Sequence, residues 1–151
     1  MTPEEKITQL GLVLPSAPKP VGLYQPFAVS GKLAFLSGQI SKDADGKILT
    51  GKVGKELSLA EGQAAARLAA LNALSIMKHL IGFEKISRVV KMTGFVQTAP
   101  DFYDIPAVEN GASELFTDVL GDRGAHARSA VGMASLPMNA AVEVELILEL
   151  R

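Results

Sequence analysis

From Val142 to Leu150 apolar residues alternate with acids. Val142, Val144, Leu146, Leu148 and Leu150 fall on one face, and Glu143, Glu145, Ile147 and Glu149 on the other. A period of two marks a half-buried strand. Ala127–Ser135 reads as another strand, and with Leu136-Pro137-Met138-Asn139 between them the two predict a closing hairpin. Ile86–Thr98 is a further strand. Near the N-terminus Tyr24–Val29 and Leu33–Ser37 flank Ser30-Gly31-Lys32, again a hairpin signal. Turns at Asp45-Gly46, Gly51 and Gly54 bracket a short strand near Ile48–Thr50.

The period changes after residue 58. Ser58 and Glu61 match a capping box, and Ala64, Leu68 and Leu71 begin an apolar face, with Leu74 and Ile81 extending it to a stop at Gly82. A second helix spans about Ile105–Leu120, with Pro106 in its first turn and a buried stripe of Ile105, Val108, Ala112, Phe116 and Val119. Prolines at 15, 18 and 20 disfavour a continuing helix, so residues 1–23 read as an extended N-terminal arm packed on a domain of residues 24–151. The element order is β-β-β-α-β-α-β-β, an α+β fold with two helices on one face of a mixed sheet. The other face has a mixed composition that suggests an oligomer.

Composition removes several kinds of chemistry. The 151 residues suit one domain, and 48% hydrophobic content supplies a core. The net charge of −1 argues against a dominant nucleic-acid or anionic-membrane surface. With no cysteine, disulfides, thiolate metal sites and thiol nucleophiles are excluded. No apolar run is long enough to span a membrane and no secretory signal pattern opens the chain, so the expected location is cytoplasmic.

Some familiar motifs fail. In Gly51–Ser58, Leu49 stands where the first Walker A glycine belongs and Glu56 replaces the hydroxyl residue. Its Gly-Lys-Val-Gly imitates an RNA-clamping loop but lacks the helical setting. His79 and His126, the only histidines, share no metal-ligand spacing, and His79 suits a helix C-terminus. Lys85, Arg88 and Lys91 fit a charged, solvated strand edge.

The informative residues are Ala127-Arg128-Ser129, Leu136-Pro137 and Val142-Glu143, together with Tyr24 and Leu36-Ser37-Gly38-Gln39-Ile40. In this order the chain resembles the YjgF/Rid family of reactive intermediate deaminases, also known as L-PSP endoribonucleases, from about Tyr24 to the C-terminus. The N-terminal arm and Lys52–Gly62 resemble a longer subgroup. The resemblance implies a chorismate-mutase-like fold and a homotrimer with clefts between subunits. It also implies hydrolysis of 2-imino acids or enamines to 2-oxo acids and ammonia with no cofactor.

The same resemblance implies roles for single residues. Arg128 would grip the substrate carboxylate, which a planar, permanently charged guanidinium does well; by residue type alone a surface ion pair or a brace of the barrel is the simpler reading. Glu143 would position or activate water and shuttle protons, against a plain outward strand acid such as Glu145 or Glu149. Ala130 would donate its backbone N–H. Tyr24, Ser37, Gly38 and Asn110 would line the cleft, or serve as a packing tyrosine, two turn residues and a surface asparagine. Gln39 suits backbone satisfaction, and Phe102 and Tyr103 either line the cleft or anchor the second helix. Cysteine is frequent in the family where Ala130 stands, and Leu23, Gln25 and Pro26 depart from the usual surroundings of the tyrosine.

If the last hairpin turns about Pro137–Met138, Arg128 and Glu143 share a sheet face about 13 Å apart at about 3.3 Å per residue. A three- or four-carbon acid could then bridge them over Ala130. The rival readings are a non-catalytic binder of 2-oxo acids, a deaminase of ring-derived enamines and a ribonuclease. Near-neutral charge and sparse aromatics weigh against the last.

Overall fold

The computed structural model describes residues 1–19 and 23–151. Pro20, Val21 and Gly22, which close the proline-rich stretch and the arm, lie outside the described residues. Helix α1 (Pro3–Gln9) occupies the start of the chain, where an extended arm was expected. A complete capping box explains it: Glu5 N–H donates to Thr2 Oγ1 and Thr2 N–H to Glu5 Oε2. Ile7 anchors this helix in the core, and Ser75 Oγ donates to the Pro15 carbonyl.

Strands β1 (Phe27–Ser30) and β2 (Leu33–Leu36) form the expected hairpin, with Gly31 at φ +60 in its turn. The third strand falls elsewhere than expected. It is the two-residue β3 (Gln39–Ile40), while Ile48 and Thr50 make only isolated bridges, to Lys42 and Ala140. Helix α2 (Leu59–Ile76) starts on the Ser58–Glu61 capping box and widens into a π-turn at Met77–Ile81 that Gly82 ends. Strand β4 (Ile86–Gln97) follows, then α3 (Ile105–Leu120). Strands β5 (Ala127–Met133) and β6 (Val142–Leu150) complete the chain.

The sheet order is β1-β2-β6-β4-β5, with β3 also paired to β6. The expected β5–β6 hairpin is therefore absent. β4 lies between the two, antiparallel to β6 and parallel to β5. Leu136-Pro137 does not fold the chain straight back. Instead a 3-10 turn at Pro137–Asn139 carries it across the sheet, with Met138 and Asn139 both at φ 58. Buried Gln97 holds that crossing: its Nε2 donates to Asn139 Oδ1 and Gly51 O, and its Oε1 accepts from Leu136 N–H. β4 is consequently an interior strand rather than the edge expected from Lys85, Arg88 and Lys91. Arg88 pairs with Glu149 of β6 at 2.7 Å.

Helices α2 and α3 cover one face of this α+β sheet. Val142, Val144, Leu146 and Leu148 of β6 are buried beneath them with Val89, Met92 and Val96 of β4. The opposite face leaves Leu33, Phe35 and Val131 exposed. The two helices cross closely at Gly111, where a Cβ would overlap the Gln63 carbonyl, and Gln63 Nε2 donates to Ala107 O at 2.9 Å.

That crossing predicts that Gly111→Ala forces the helices apart and costs about 1–3 kcal/mol, the usual range for overpacking. Denaturant unfolding measures it, and a variant as stable as the parent contradicts the close approach.

Candidate functional site

Arg128 lies on β5 opposite Met92, and Ala130 lies opposite Gly94. A Cβ on Gly94 would overlap Glu109 of α3, and one on Gly132 would approach Ile105, so this side of β5 faces α3. Arg128 Nη1 donates to Asn110 Oδ1 at 2.9 Å and to Ser113 Oγ at 3.2 Å. Both hydrogens of Nη1 are thus committed, and the Nε–Nη2 edge keeps three for a ligand, enough for a side-on carboxylate. Among the described residues no acid lies within ion-pair distance of Arg128. Its holders are neutral.

Ser113 is held in turn. His126 Nδ1 lies 2.6 Å from the Gly124 carbonyl, and Nε2 lies 2.9 Å from Ser113 Oγ. A carbonyl only accepts, so Nδ1 carries a proton toward Gly124, and in that neutral tautomer Nε2 is the acceptor for the serine hydroxyl. The serine oxygen is left to accept from Arg128. The imidazole also stands edge-on to Phe116, with centroids 6.0 Å apart. Residues 124, 126, 113 and 128 make one directed chain of hydrogen bonds ending on the guanidinium.

Next to Asn110 sits Glu109, which is fully buried. Neither of its carboxyl oxygens has a hydrogen-bond partner among the described residues. The absence of a side chain at Gly94 makes room for it. Burial pushes its pKa up to about 8, against the opposing pull of Arg128, so it is neutral at pH 7.

Tyr24, Ser37, Gly38 and Glu143 gather elsewhere, around an open cleft of about 740 Å³ that Met138 and Lys42 also line. Glu143 pairs with Phe95 on β4 and Ile40 on β3, and it is flanked by fully buried Val142 and Val144, so it projects from the face away from the helices. Its carboxylate occupies the space above Gly38, where a Cβ would overlap it. Burial raises its pKa, and neighbouring Glu145 raises it further. Ser37 Oγ donates to the Gln25 carbonyl, which leaves the serine oxygen as an acceptor toward the cleft. Gln39 Nε2 donates to Ser37 O, as expected of a backbone-satisfying residue.

The candidates therefore fall into two groups. Arg128 and Ala130 on the helix face of the edge strand meet Asn110 of α3; Tyr24, Ser37, Gly38 and Glu143 share the cleft. Arg128 and Glu143 do not share a sheet face, contrary to the hairpin expectation, because β4 intervenes and the pleat turns them opposite ways. Phe102 packs over Gly54 and anchors the start of α3, while Tyr103 is exposed. Sequence reasoning passed over Glu109, Ser113 and His126. Helical spacing was the available signal, since residues 109, 110 and 113 lie on one side of a helix.

A family model for the YjgF/chorismate-mutase-like endoribonuclease family matches residues 4–150. The chain belongs to the YjgF family. It is 43% identical over 146 residues to protein TCP17 of Trypanosoma cruzi, covering 95% of this chain and 91% of that one. It is 34% identical over 134 residues to a 2-iminobutanoate/2-iminopropanoate deaminase of Dermatophagoides farinae, covering 88% and 90%. The crystal structure of an Agrobacterium tumefaciens protein of unknown function superposes with a TM-score of 0.90 at 44% identity, covering 99% of this chain and 94% of that one. The expected chorismate-mutase-like fold is thereby established for this YjgF-family chain. Among the described residues no helix is long and apolar enough to cross a membrane. Nor do three metal-ligating side chains gather anywhere among them.

Glu109 makes stability depend on pH. Its pKa is raised on folding, so the unfolded chain loses this proton from about pH 4.5 upward while the folded chain keeps it to about pH 8. Stability from this group is therefore lost as pH rises through that window, by an amount on the order of a few kcal/mol. Glu109→Gln should remove that decline in denaturant unfolding between pH 5 and pH 9. An unchanged decline contradicts the buried neutral carboxyl.

Proposed function

We propose that this chain hydrolyses 2-imino acids, or their enamine tautomers, to 2-oxo acids and ammonia, in a cleft that two copies of the chain build together and without a cofactor. The observation that carries the reading is an arginine that, among the described residues, keeps a free hydrogen-bonding edge and has no acidic partner, suited to a small carboxylate. The deaminase relative at 34% identity supports the reaction class.

The chemistry needs little more than water and one carboxyl group. The substrate carboxylate lies on the Nε–Nη2 edge of Arg128. Glu143 takes a proton from water as the water oxygen bonds to the imine carbon, and it returns a proton to nitrogen. Glu143 then relays the carbinolamine's hydroxyl proton to the nitrogen, the C–N bond breaks, and ammonia departs as the carbonyl forms. Water supplies the oxygen, and no electrons are exchanged with an outside partner. A carboxyl with a raised pKa suits both halves of this exchange.

The reading requires a second copy. Arg128 and Glu143 project from opposite faces, so the pocket that unites them takes Arg128, Ala130 and Asn110 from one protomer and the Glu143 cleft from its neighbour. The exposed apolar row of Leu33, Phe35 and Val131 on the face away from the helices offers the surface to bury, and a closed homotrimer satisfies all copies alike. Nucleic acid is a poor partner for a chain of net charge −1.

A coupled assay tests the reaction: a dehydratase releases the imine, and its decay is followed with and without this protein. Acceleration is expected. Arg128→Gln should raise KM about ten- to a hundredfold, and Glu143→Gln should lower kcat about 10²–10⁴-fold. Decay equal to buffer across several amino-acid precursors overturns the deaminase reading; pyruvate binding without turnover then favours a non-catalytic 2-oxo-acid binder.

A further inference from the structure

We propose that Glu109 is a positioning residue for Arg128: kept neutral beneath the sheet, it leaves the guanidinium charge free for an incoming carboxylate, and its ionisation withdraws that charge. The proposal rests on the reading of Arg128 as the carboxylate-binding group. No role in recognition belongs to Glu109 by contact, since it is fully buried and acts through its neighbour.

Four observations converge on it. An acid occupies the residue next to Asn110, the side chain that holds Arg128. Its two oxygens are unpartnered among the described residues, so no hydrogen-bond donor there stabilises the anion. β4 makes space for the carboxyl by presenting Gly94. Arg128 is the charge that acts on it, and the acid yields to it only in part, remaining protonated to about pH 8.

The elements packed against α3 also carry Glu4, Glu5 and Lys6 on α1, Asp122 and Arg123 in the 121–124 turn, and Glu61 and Arg67 on α2, but the charge that acts on Glu109 is that of Arg128; at their closest approach α2 meets α3 through Gly62 against Val108 and Gln63 against Gly111. His126 reaches Arg128 through Ser113, and it is the other titratable side chain joined to the cluster. Substitution at Glu109 leaves His126 in place, so any contribution of the histidine appears in both proteins.

The consequence is reciprocal. An anion on Arg128 cancels the field that favours Glu109 ionisation, so ligand binding makes Glu109 hold its proton more tightly, and ionised Glu109 makes Arg128 bind the ligand more weakly. If the two anions exclude each other, the dissociation constant rises about tenfold between pH 7 and pH 9.

Pyruvate is a suitable probe, because its carboxylate does not titrate in this range. Calorimetric titration of the full-length protein from pH 6.5 to pH 9 should show that rise, with proton uptake near pH 8 revealed by two buffers of different ionisation enthalpy. Glu109→Gln, an isostere of the neutral acid, should bind at pH 7 and hold its affinity to pH 9 without proton uptake. Parallel pH courses in the two proteins overturn the proposal while leaving the Arg128 reading intact. Absence of pyruvate binding at every pH overturns that reading and the proposal with it. Should the variant fail to fold, the proton uptake of the unsubstituted protein decides alone: uptake supports the coupling, and none overturns it.

Discussion

A β-strand turns successive side chains to opposite faces of its sheet, and this alternation governs what the chain can do by itself. Arg128 shares its face with Gly94 and α3, and Glu143 shares the other with Phe95. No rotamer change brings the two together through a hydrogen-bonded sheet. Under the proposed function a cleft that uses both is built between copies, and a neighbour would cover the apolar row on the open face.

Glycines set the position of both unusual carboxyl groups. Gly38 gives Glu143 its seat, and Gly94 gives Glu109 its own. In each case the missing Cβ lets a carboxyl press against backbone, and burial raises its pKa. The two acids differ in what they face. Glu143 borders an open cleft and can exchange protons with a bound molecule, whereas Glu109 is sealed beneath the sheet and can act only through the field it exerts on Arg128. Holding that arginine by Asn110 and Ser113 rather than by an acid keeps its charge available. His126 fixes the serine hydroxyl, so the orientation of the guanidinium is tied to the backbone at Gly124.

Most of the elements follow from local signals. The Ser58–Glu61 cap, the stop at Gly82, Pro106 at the start of α3 and the alternation of β6 each act within a few residues, and each element formed where they placed it. The pairing of β5 with β4 was not legible, because it depends on a long-range hydrogen-bond ladder and on Gln97 clasping the 136–139 crossing. Composition around Leu136-Pro137 looks the same for a hairpin turn as for a crossover. The family resemblance places Tyr24, Ser37, Gly38 and Glu143 in one cleft with Arg128, Ala130 and Asn110, and within one chain the two groups lie apart. Glu109 was not reached, since a lone acid within an otherwise apolar helix face reads as solvated until the glycine opposite it is seen.

Subunit complementation tests the divided cleft most directly. Arg128→Gln and Glu143→Gln chains, each strongly impaired alone at substrate well below KM, are co-expressed in equal amounts and the mixed oligomers assayed for imine hydrolysis at that substrate level. If each cleft takes its arginine from one chain and its glutamate from the next, random assembly pairs two intact halves in about a quarter of the sites, and about a quarter of the parent activity returns. Mixed oligomers that remain as impaired as either variant alone would contradict the account.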